Sequence, residues 1–135
     1  MANENYNEAL YNAALRALSA GSIVATGSSR IPSSANSTNP TVAKASAGKL
    51  FLATGYNSSA TVTYLKFYDK ATAPTVGTDT PVLSLPLPAT AVFAFDLSGF
   101  QFTTGVSYGL TTAAADNGTT AVAAGAILGL NVTYA

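Results

Sequence analysis

The chain contains no histidine, no cysteine and no tryptophan. Without histidine or cysteine it can form no Ser-His-Asp triad, no Cys-His pair, no thiolate zinc site and no disulfide. We therefore expect a protein that is not an enzyme and that needs neither a cofactor nor a metal ion. The absence of tryptophan also weakens a sugar-binding interpretation, although exposed tyrosines could still serve as a carbohydrate platform.

Charge is also scarce, because six basic and six acidic residues make up only 9% of the 135 residues. Soluble domains usually have about 25% charged residues. The basic residues are scattered along the chain, whereas binding to a phosphate backbone needs them clustered, so we expect no nucleic-acid partner. Ala, Thr, Ser, Gly and Asn take the place of charges. They give a wettable but weakly repulsive surface, which suits a protein whose outside lies against neighbours.

The few acidic residues of the second half occur beside turn-forming residues. Asp79 and Asp116 neighbour Thr and Asn, and Asp96 comes two residues before Ser98 and Gly99. Aspartate at such positions usually bonds the local backbone. A calcium site built from two loops is the alternative interpretation, although no D-x-D-x-D spacing favours it.

No apolar run is long enough to cross a bilayer. The most apolar window, 121–130, is short and rich in Gly and Ala. The first ten residues, MANENYNEAL, are polar and acidic and do not resemble a signal peptide. We expect a protein made in a cytoplasm, with no membrane as partner.

The first segment, residues 1–25, is predicted to be a helical arm. Within 3–20, Tyr6, Leu10, Ala14 and Leu18 recur every four residues and form a narrow apolar stripe. An isolated helix of this length is marginal in water, so it should dock either on its own domain or on another subunit. Tyr6, Leu10 and Leu18 are therefore candidate interface residues.

The second segment, residues 26–48, is rich in Ser, Thr, Asn, Pro and Gly and has few large apolar side chains. This composition is typical of a linker or of an extended arm laid across a neighbour.

The third segment, residues 49–135, consists of short apolar runs separated by turn residues, and turns are predicted at 57–59, 74–79, 96–99 and 116–118. The predicted strands are 49–56, 60–69, 81–87, 90–97, 105–112 and 126–134. Strands without intervening helical patterns indicate an all-β fold, an antiparallel β-sandwich or jelly roll, behind the short helical arm. Because proline cannot donate to a sheet ladder, Pro81, Pro86 and Pro88 place strand 81–87 at an edge or interrupt it.

Strand 60–69 has large side chains on both faces. Leu65 and Phe67 point one way, and Tyr64 and Tyr68 point the other. If one face lies in the core, the other should expose Tyr64 and Tyr68. They are either ordinary surface tyrosines or further candidate interface residues.

Three stretches together resemble small β-rich virion proteins of tailed phages and prophages. They are YLKFYDKATAPTVGTDTPVLSLPLPA (64–89), GFQFTTGVSYGLTTAAADNGTTAVAAG (99–125) and the closing AILGLNVTY. The resemblance covers residues 49–135, and no part of residues 1–48 contributes to it. It transfers no functional residues.

The resemblance implies a virion structural protein, and most specifically a capsid decoration (cement) protein that stabilises the shell. Such proteins are small, β-rich and often trimeric. The expected partners are therefore further copies of the chain, as a homotrimer, and the major capsid protein or another virion protein. The alternative is a tail, head-fibre or adaptor subunit that binds a receptor or glycan.

Overall fold

The computed structural model describes residues 7–15 and 24–135. Residues 7–15 form helix α1. Eight strands follow: β1 (Gly27–Ser33), β2 (Thr41–Lys44), β3 (Gly48–Asn57), β4 (Thr63–Asp69), β5 (Leu83–Leu87), β6 (Ala91–Phe102), β7 (Val106–Thr111) and β8 (Ile127–Tyr134).

The strands form two antiparallel four-stranded sheets packed face to face. Sheet I has the order β1-β8-β3-β6, and sheet II has the order β2-β7-β4-β5. The pairs β1·β8, β2·β7, β3·β6 and β4·β5 are those of one long antiparallel hairpin rolled up on itself. The contacts β3·β8 and β4·β7 close the roll. This connectivity is the eight-stranded jelly roll, and it confirms the predicted all-β sandwich.

The core lies between the sheets and is made by alternate side chains of their strands. Leu50, Phe67, Phe102, Tyr108 and Leu130 are all completely buried. The rings of Phe67 and Phe102 meet edge to face, with their centroids 6.3 Å apart. The inward alternation predicted for Leu65 and Phe67 is confirmed, because both side chains belong to this core.

The prediction of a linker at 26–48 is wrong, and the sandwich begins well before residue 49. β1 pairs with β8 along its length, from Gly27 opposite Tyr134 to Ser33 opposite Leu128. β2 pairs with β7. β1 contributes a single large apolar residue, Ile31, to the core, so its composition resembles that of a linker. Its strand conformation depends on pairing with a segment about a hundred residues away in the chain.

The turn predicted at Asp96 to Gly99 is also wrong, because β6 continues through it to Phe102. Ser98 and Gly99 have φ values of 50° and 80°. Along the pairing with β3, residues 97–99 of β6 lie opposite Phe51 alone. The turn-forming residues therefore make a bulge within one long strand.

The proline-flanked strand lies where the sequence predicted. β5 is the outer strand of sheet II and pairs only with β4, with Pro86 opposite Tyr64. The turn predicted after Asn57 is also present, since β3 ends there and the Asn57 side chain accepts a bond from the backbone N–H of Ser59 at 3.0 Å.

Candidate interaction surfaces

No ligand cavity is found in the parts of the chain that the structure describes. Among the same residues, no three metal-ligating side chains come together. The described helix is not long and apolar enough to cross a membrane. The surfaces of the two sheets and of α1 are therefore the places to look for a function.

Two of the predicted turn aspartates bond the local backbone. Asp79 accepts bonds from the backbone N–H of Thr75 and the ammonium of Lys70, both at 2.7 Å. These bonds hold the pKa of Asp79 below its usual value, with the Lys70 bond as the largest cause. Asp96 accepts bonds from the backbone N–H and hydroxyl of Ser98 at 2.9 and 3.2 Å. The local-bonding interpretation is thus confirmed for both residues.

The outer face of sheet II, which we call the covered face, lies beneath two long connections of the same chain. The β4–β5 connection places Val76 against Gly109 of β7. The β7–β8 connection is held down by the Thr111 hydroxyl, which donates to the carbonyl of Thr120 at 2.8 Å, and by the Lys66 ammonium, which donates to the carbonyl of Ala115. These connections leave no open surface at the centre of sheet II.

Tyr68 therefore does not lie on the surface, and the expectation that it is exposed is wrong. It points away from the core as predicted, but it is only 1% exposed and its hydroxyl finds no hydrogen-bond partner among the described residues. Burial raises the pKa of Tyr68, and the nearby charges of Asp79 and Asp116 raise it further. Tyr64, two residues earlier on the same face, is half-buried. A partner that binds the covered face can therefore contact part of Tyr64 and almost none of Tyr68.

Lys66, between the two tyrosines, is completely buried. Burial lowers its pKa, and the charge of Asp116 opposes that effect. Since its ammonium donates to a loop carbonyl, the side chain acts as a clamp that holds the β7–β8 connection over the sheet.

The outer face of sheet I, which we call the open face, has no such cover from the residues that the structure describes. Cross-strand pairing aligns three rows of side chains on it: Ser28, Thr133, Leu52 and Asp96; then Arg30, Asn131, Thr54 and Ala94; then Leu128, Tyr56 and Val92. None of these side chains is buried.

The third row is the most apolar part of the open face. Val92 is 78% exposed, Leu128 is 38% exposed, and Tyr56 lies between them. The charged residues on this face are Arg30 on β1, Lys49 near the start of β3 and Asp96 on β6. The face is therefore a largely neutral surface with an apolar row along one side.

Helix α1 is a second exposed apolar surface. Every one of its described residues is exposed, and Leu10, Tyr11 and Leu15 are 52%, 66% and 45% exposed. Of the predicted stripe, Leu10 lies on this helix, whereas Tyr6 and Leu18 lie outside the described residues. The described part of α1 is not docked on its own domain.

Comparisons of the chain with protein-family models, with curated proteins and with solved structures give no match. The resemblance to phage virion proteins accordingly stays a prediction.

The sequence did not single out the residues of the open face. The predicted strands include Leu52, Tyr56, Val92 and Leu128, but none of these four is among the candidate interface residues. The available signal was the same as for strand 60–69, namely large side chains at both alternating positions. Which of these strands stays uncovered depends on where the long connections fold, and alternation does not contain that information.

Proposed function

We propose that the chain is a non-enzymatic structural protein of a tailed-phage virion. Its most specific role is that of a capsid decoration protein that binds the assembled shell as a homotrimer and stabilises it. The observation that carries this proposal is the contrast between the two sheets, because one outer face is sealed by the protein's own connections and no described residue covers the other. The sequence resemblance over residues 49–135 supports the same role.

The chemistry of the open face supports attachment by neutral contact. Apolar burial contributes about 25 cal/mol per Å², and a specific interface of ordinary size buries roughly 1,600 Å² in total. Repetition over a shell lattice lets a modest affinity at each site give stable attachment. Because the subunit binds the assembled shell and not its dissociated parts, mass action favours the intact particle.

The test measures the temperature at which phage particles release their DNA. Particles stripped of the protein should release DNA at a lower temperature than complete particles, and adding the purified protein back should restore the higher value. Since few charges are available for screening, restoration should persist in high salt. If the added protein no longer restores the release temperature in high salt, the stabilising role stands but attachment by neutral contact is refuted.

Two valines provide a matched pair of variants for the same assay. Val92→Glu places a charge on the open face, and Val82→Glu places one on the connection before β5, where the valine is 48% exposed. Losing the burial of one valine is worth about 1.5 kcal/mol, so Val92→Glu should weaken binding to the shell by roughly tenfold or more. Val82→Glu should bind as the parent does.

Equal release temperatures with and without the protein would refute the decoration role. In that case a tail, head-fibre or adaptor subunit becomes the better explanation, and binding of the purified protein to host cells or to a glycan array would test it.

A further inference from the structure

Asn117 is the only asparagine of the chain that precedes a glycine. It is exposed on the β7–β8 connection, which crosses the covered face. Glycine has no Cβ to keep its backbone nitrogen away from the preceding side chain. An asparagine followed by glycine can therefore lose its amide group without an enzyme, by attack of the chain's own backbone.

The other described asparagines of the sandwich are less suited to this reaction. The side-chain amides of Asn39, Asn57 and Asn131 donate hydrogen bonds to backbone carbonyls at 3.0, 3.0 and 3.2 Å. Asn36 is as exposed as Asn117, but a serine follows it. Asn36 is therefore the natural comparison within the same chain.

The structure holds Asn117 in a tight turn. The backbone N–H of Gly118 donates to the carbonyl of Ala115 at 2.9 Å. The same carbonyl accepts a bond from the buried ammonium of Lys66. While the Gly118 N–H keeps its bond, its nitrogen is not free to attack the side chain before it. The reaction therefore requires the turn to open.

A few hydrogen bonds close the segment that contains this turn. The hydroxyl of Thr111, at the end of β7, donates to the carbonyl of Thr120 at 2.8 Å and accepts from the backbone N–H of Ala113 at 3.1 Å. The backbone N–H of Thr112 also donates to the Thr120 carbonyl, at 3.1 Å. An exposed segment with so few bonds opens at a lower free energy than the sheets beneath it.

We propose that Asn117–Gly118 is a site of spontaneous deamidation and that opening of residues 112–120 controls its rate. In the open segment, hydroxide removes the proton of the Gly118 nitrogen, which attacks Cγ of Asn117. A C–N bond forms and the Cγ–Nδ2 bond breaks. The departing nitrogen takes a proton from water and leaves as ammonia, which regenerates the hydroxide. Water then opens the resulting succinimide ring at either carbonyl and gives aspartate or isoaspartate.

The modification changes both the charge and the backbone of the connection. Either product adds a negative charge beside Asp116, in a chain whose formal net charge is zero. Isoaspartate also lengthens the main chain by one CH2 group, so the bond from Gly118 to Ala115 cannot keep its geometry. The isoaspartate form should therefore hold the connection over sheet II less firmly. This inference does not depend on the decoration role, because the purified chain is sufficient for the reaction.

The test incubates the purified full-length chain at mildly alkaline pH. Peptide mass mapping follows the replacement of the side-chain NH2 by OH. Asn117 should react in the folded chain, faster than Asn36 but more slowly than in the same chain unfolded by urea. Asn117→Gln should remove the conversion, because the larger ring that glutamine would need forms slowly.

Two threonine variants test whether the segment controls the rate. Thr111→Val removes the hydroxyl that fastens the segment, and Thr54→Val makes the same change in the second row of the open face. Loss of the two Thr111 bonds should speed the conversion of Asn117 by about tenfold, whereas Thr54→Val should leave it unchanged. A urea titration should show both variants folded under the incubation conditions, so that the difference comes from local opening.

Hydrogen exchange of residues 112–120 measures the consequence of the modification. Exchange should be faster in the isoaspartate fraction of the aged protein than in the parent. Asn117→Asp is the control, because it adds the charge without lengthening the main chain, and it should exchange as the parent does. Equal exchange in all three would refute the loosening of the connection.

Three outcomes of the incubation would overturn the proposal. Conversion of Asn117 no faster than that of Asn36 in the folded chain would show that the native turn suppresses the reaction. Equal rates in the folded and the urea-unfolded chain would show that the turn imposes no restraint. Equal rates for Thr111→Val and Thr54→Val would show that opening of the segment does not control the reaction.

Discussion

Replacing Asp69 with asparagine tests how strongly one carboxylate fastens the two sheets together. Asp69 ends β4 in sheet II, and its oxygens accept four hydrogen bonds from the turn between β6 and β7. The donors are the backbone N–H and hydroxyl of Thr103, at 3.1 and 2.7 Å, and the backbone N–H groups of Thr104 and Gly105, at 2.7 and 3.2 Å. Because β6 belongs to sheet I, these bonds fix the crossing from one sheet to the other.

The size of the effect follows from the pKa of Asp69. The hydrogen bonds, with that of the Thr103 hydroxyl as the largest cause, lower it from 3.8 to about 2. This difference in pKa of nearly two pH units means that the ionised Asp69 contributes at most about 2.5 kcal/mol to the free energy of unfolding. Since the side chain is partly exposed to water, solvent screening reduces the expected loss for Asp69→Asn to about 1–2 kcal/mol at neutral pH.

The pH dependence separates the carboxylate charge from other causes. The pKa of Asp69 is lower in the folded chain than in the unfolded chain, so its contribution is complete above about pH 5 and is lost as the pH falls through 3.8 toward about 2. Urea unfolding should therefore show the parent and Asp69→Asn differing at pH 7 and converging near pH 2. The control is Asp96→Asn, because among the described residues the Asp96 side chain bonds only Ser98, at the bulge of β6. An equal difference at both pH values would refute the assignment to the charge.

Four further predictions concern other parts of the fold. Tyr68→Phe removes a buried hydroxyl that has no hydrogen-bond partner in 7–15 or 24–135, so the free energy of unfolding should stay unchanged or rise by up to about 1 kcal/mol. Tyr108→Phe, which loses a 2.7 Å bond to a serine hydroxyl, should cost about 1 kcal/mol in the same urea titration. Gly77→Ala should lower the free energy of unfolding by more than about 2 kcal/mol, because Gly77 has φ 91° and its new methyl would meet a threonine methyl. Gly129→Ala should lower it by about 1 kcal/mol, because Gly129 has φ 59° but open space around it. Deleting residues 1–25 should leave a cooperative thermal transition, because the first strand begins at Gly27, but it should weaken binding to the particle; failure to fold would place the helix in the core.

The fold class could be predicted from the sequence because local alternation determines it. β4 and β7 have large apolar residues at alternate positions, β3 and β8 contain shorter apolar runs, and turn residues follow these strands. β1 and β2 could not be predicted, because small polar residues leave the local pattern undecided and pairing with distant strands decides the outcome.

The candidate site was less predictable than the fold. Alternation correctly placed Tyr64 and Tyr68 on the outer side of sheet II, but it could not show that the connections fold over them. For the same reason, alternation could not show that Val92 is exposed. Val92 also lies on the outer side of its sheet, and it remains exposed because no described segment of the chain crosses that sheet. Exposure is a property of the tertiary arrangement, and a strand pattern specifies only the side of the sheet.

The edges of the two sheets favour association through a face over association through strand pairing. β5 has Pro86 within it, β1 has Pro32, and β2 is only four residues long and ends at Lys44. The long edge strand β6 is broken by its bulge at 97–99. Prolines, charged ends, short strands and bulges are the features that prevent edge-to-edge pairing in natural sheets. Since these features protect every edge and the connections seal sheet II, the open face of sheet I is the surface on which a second protein can add the most contact.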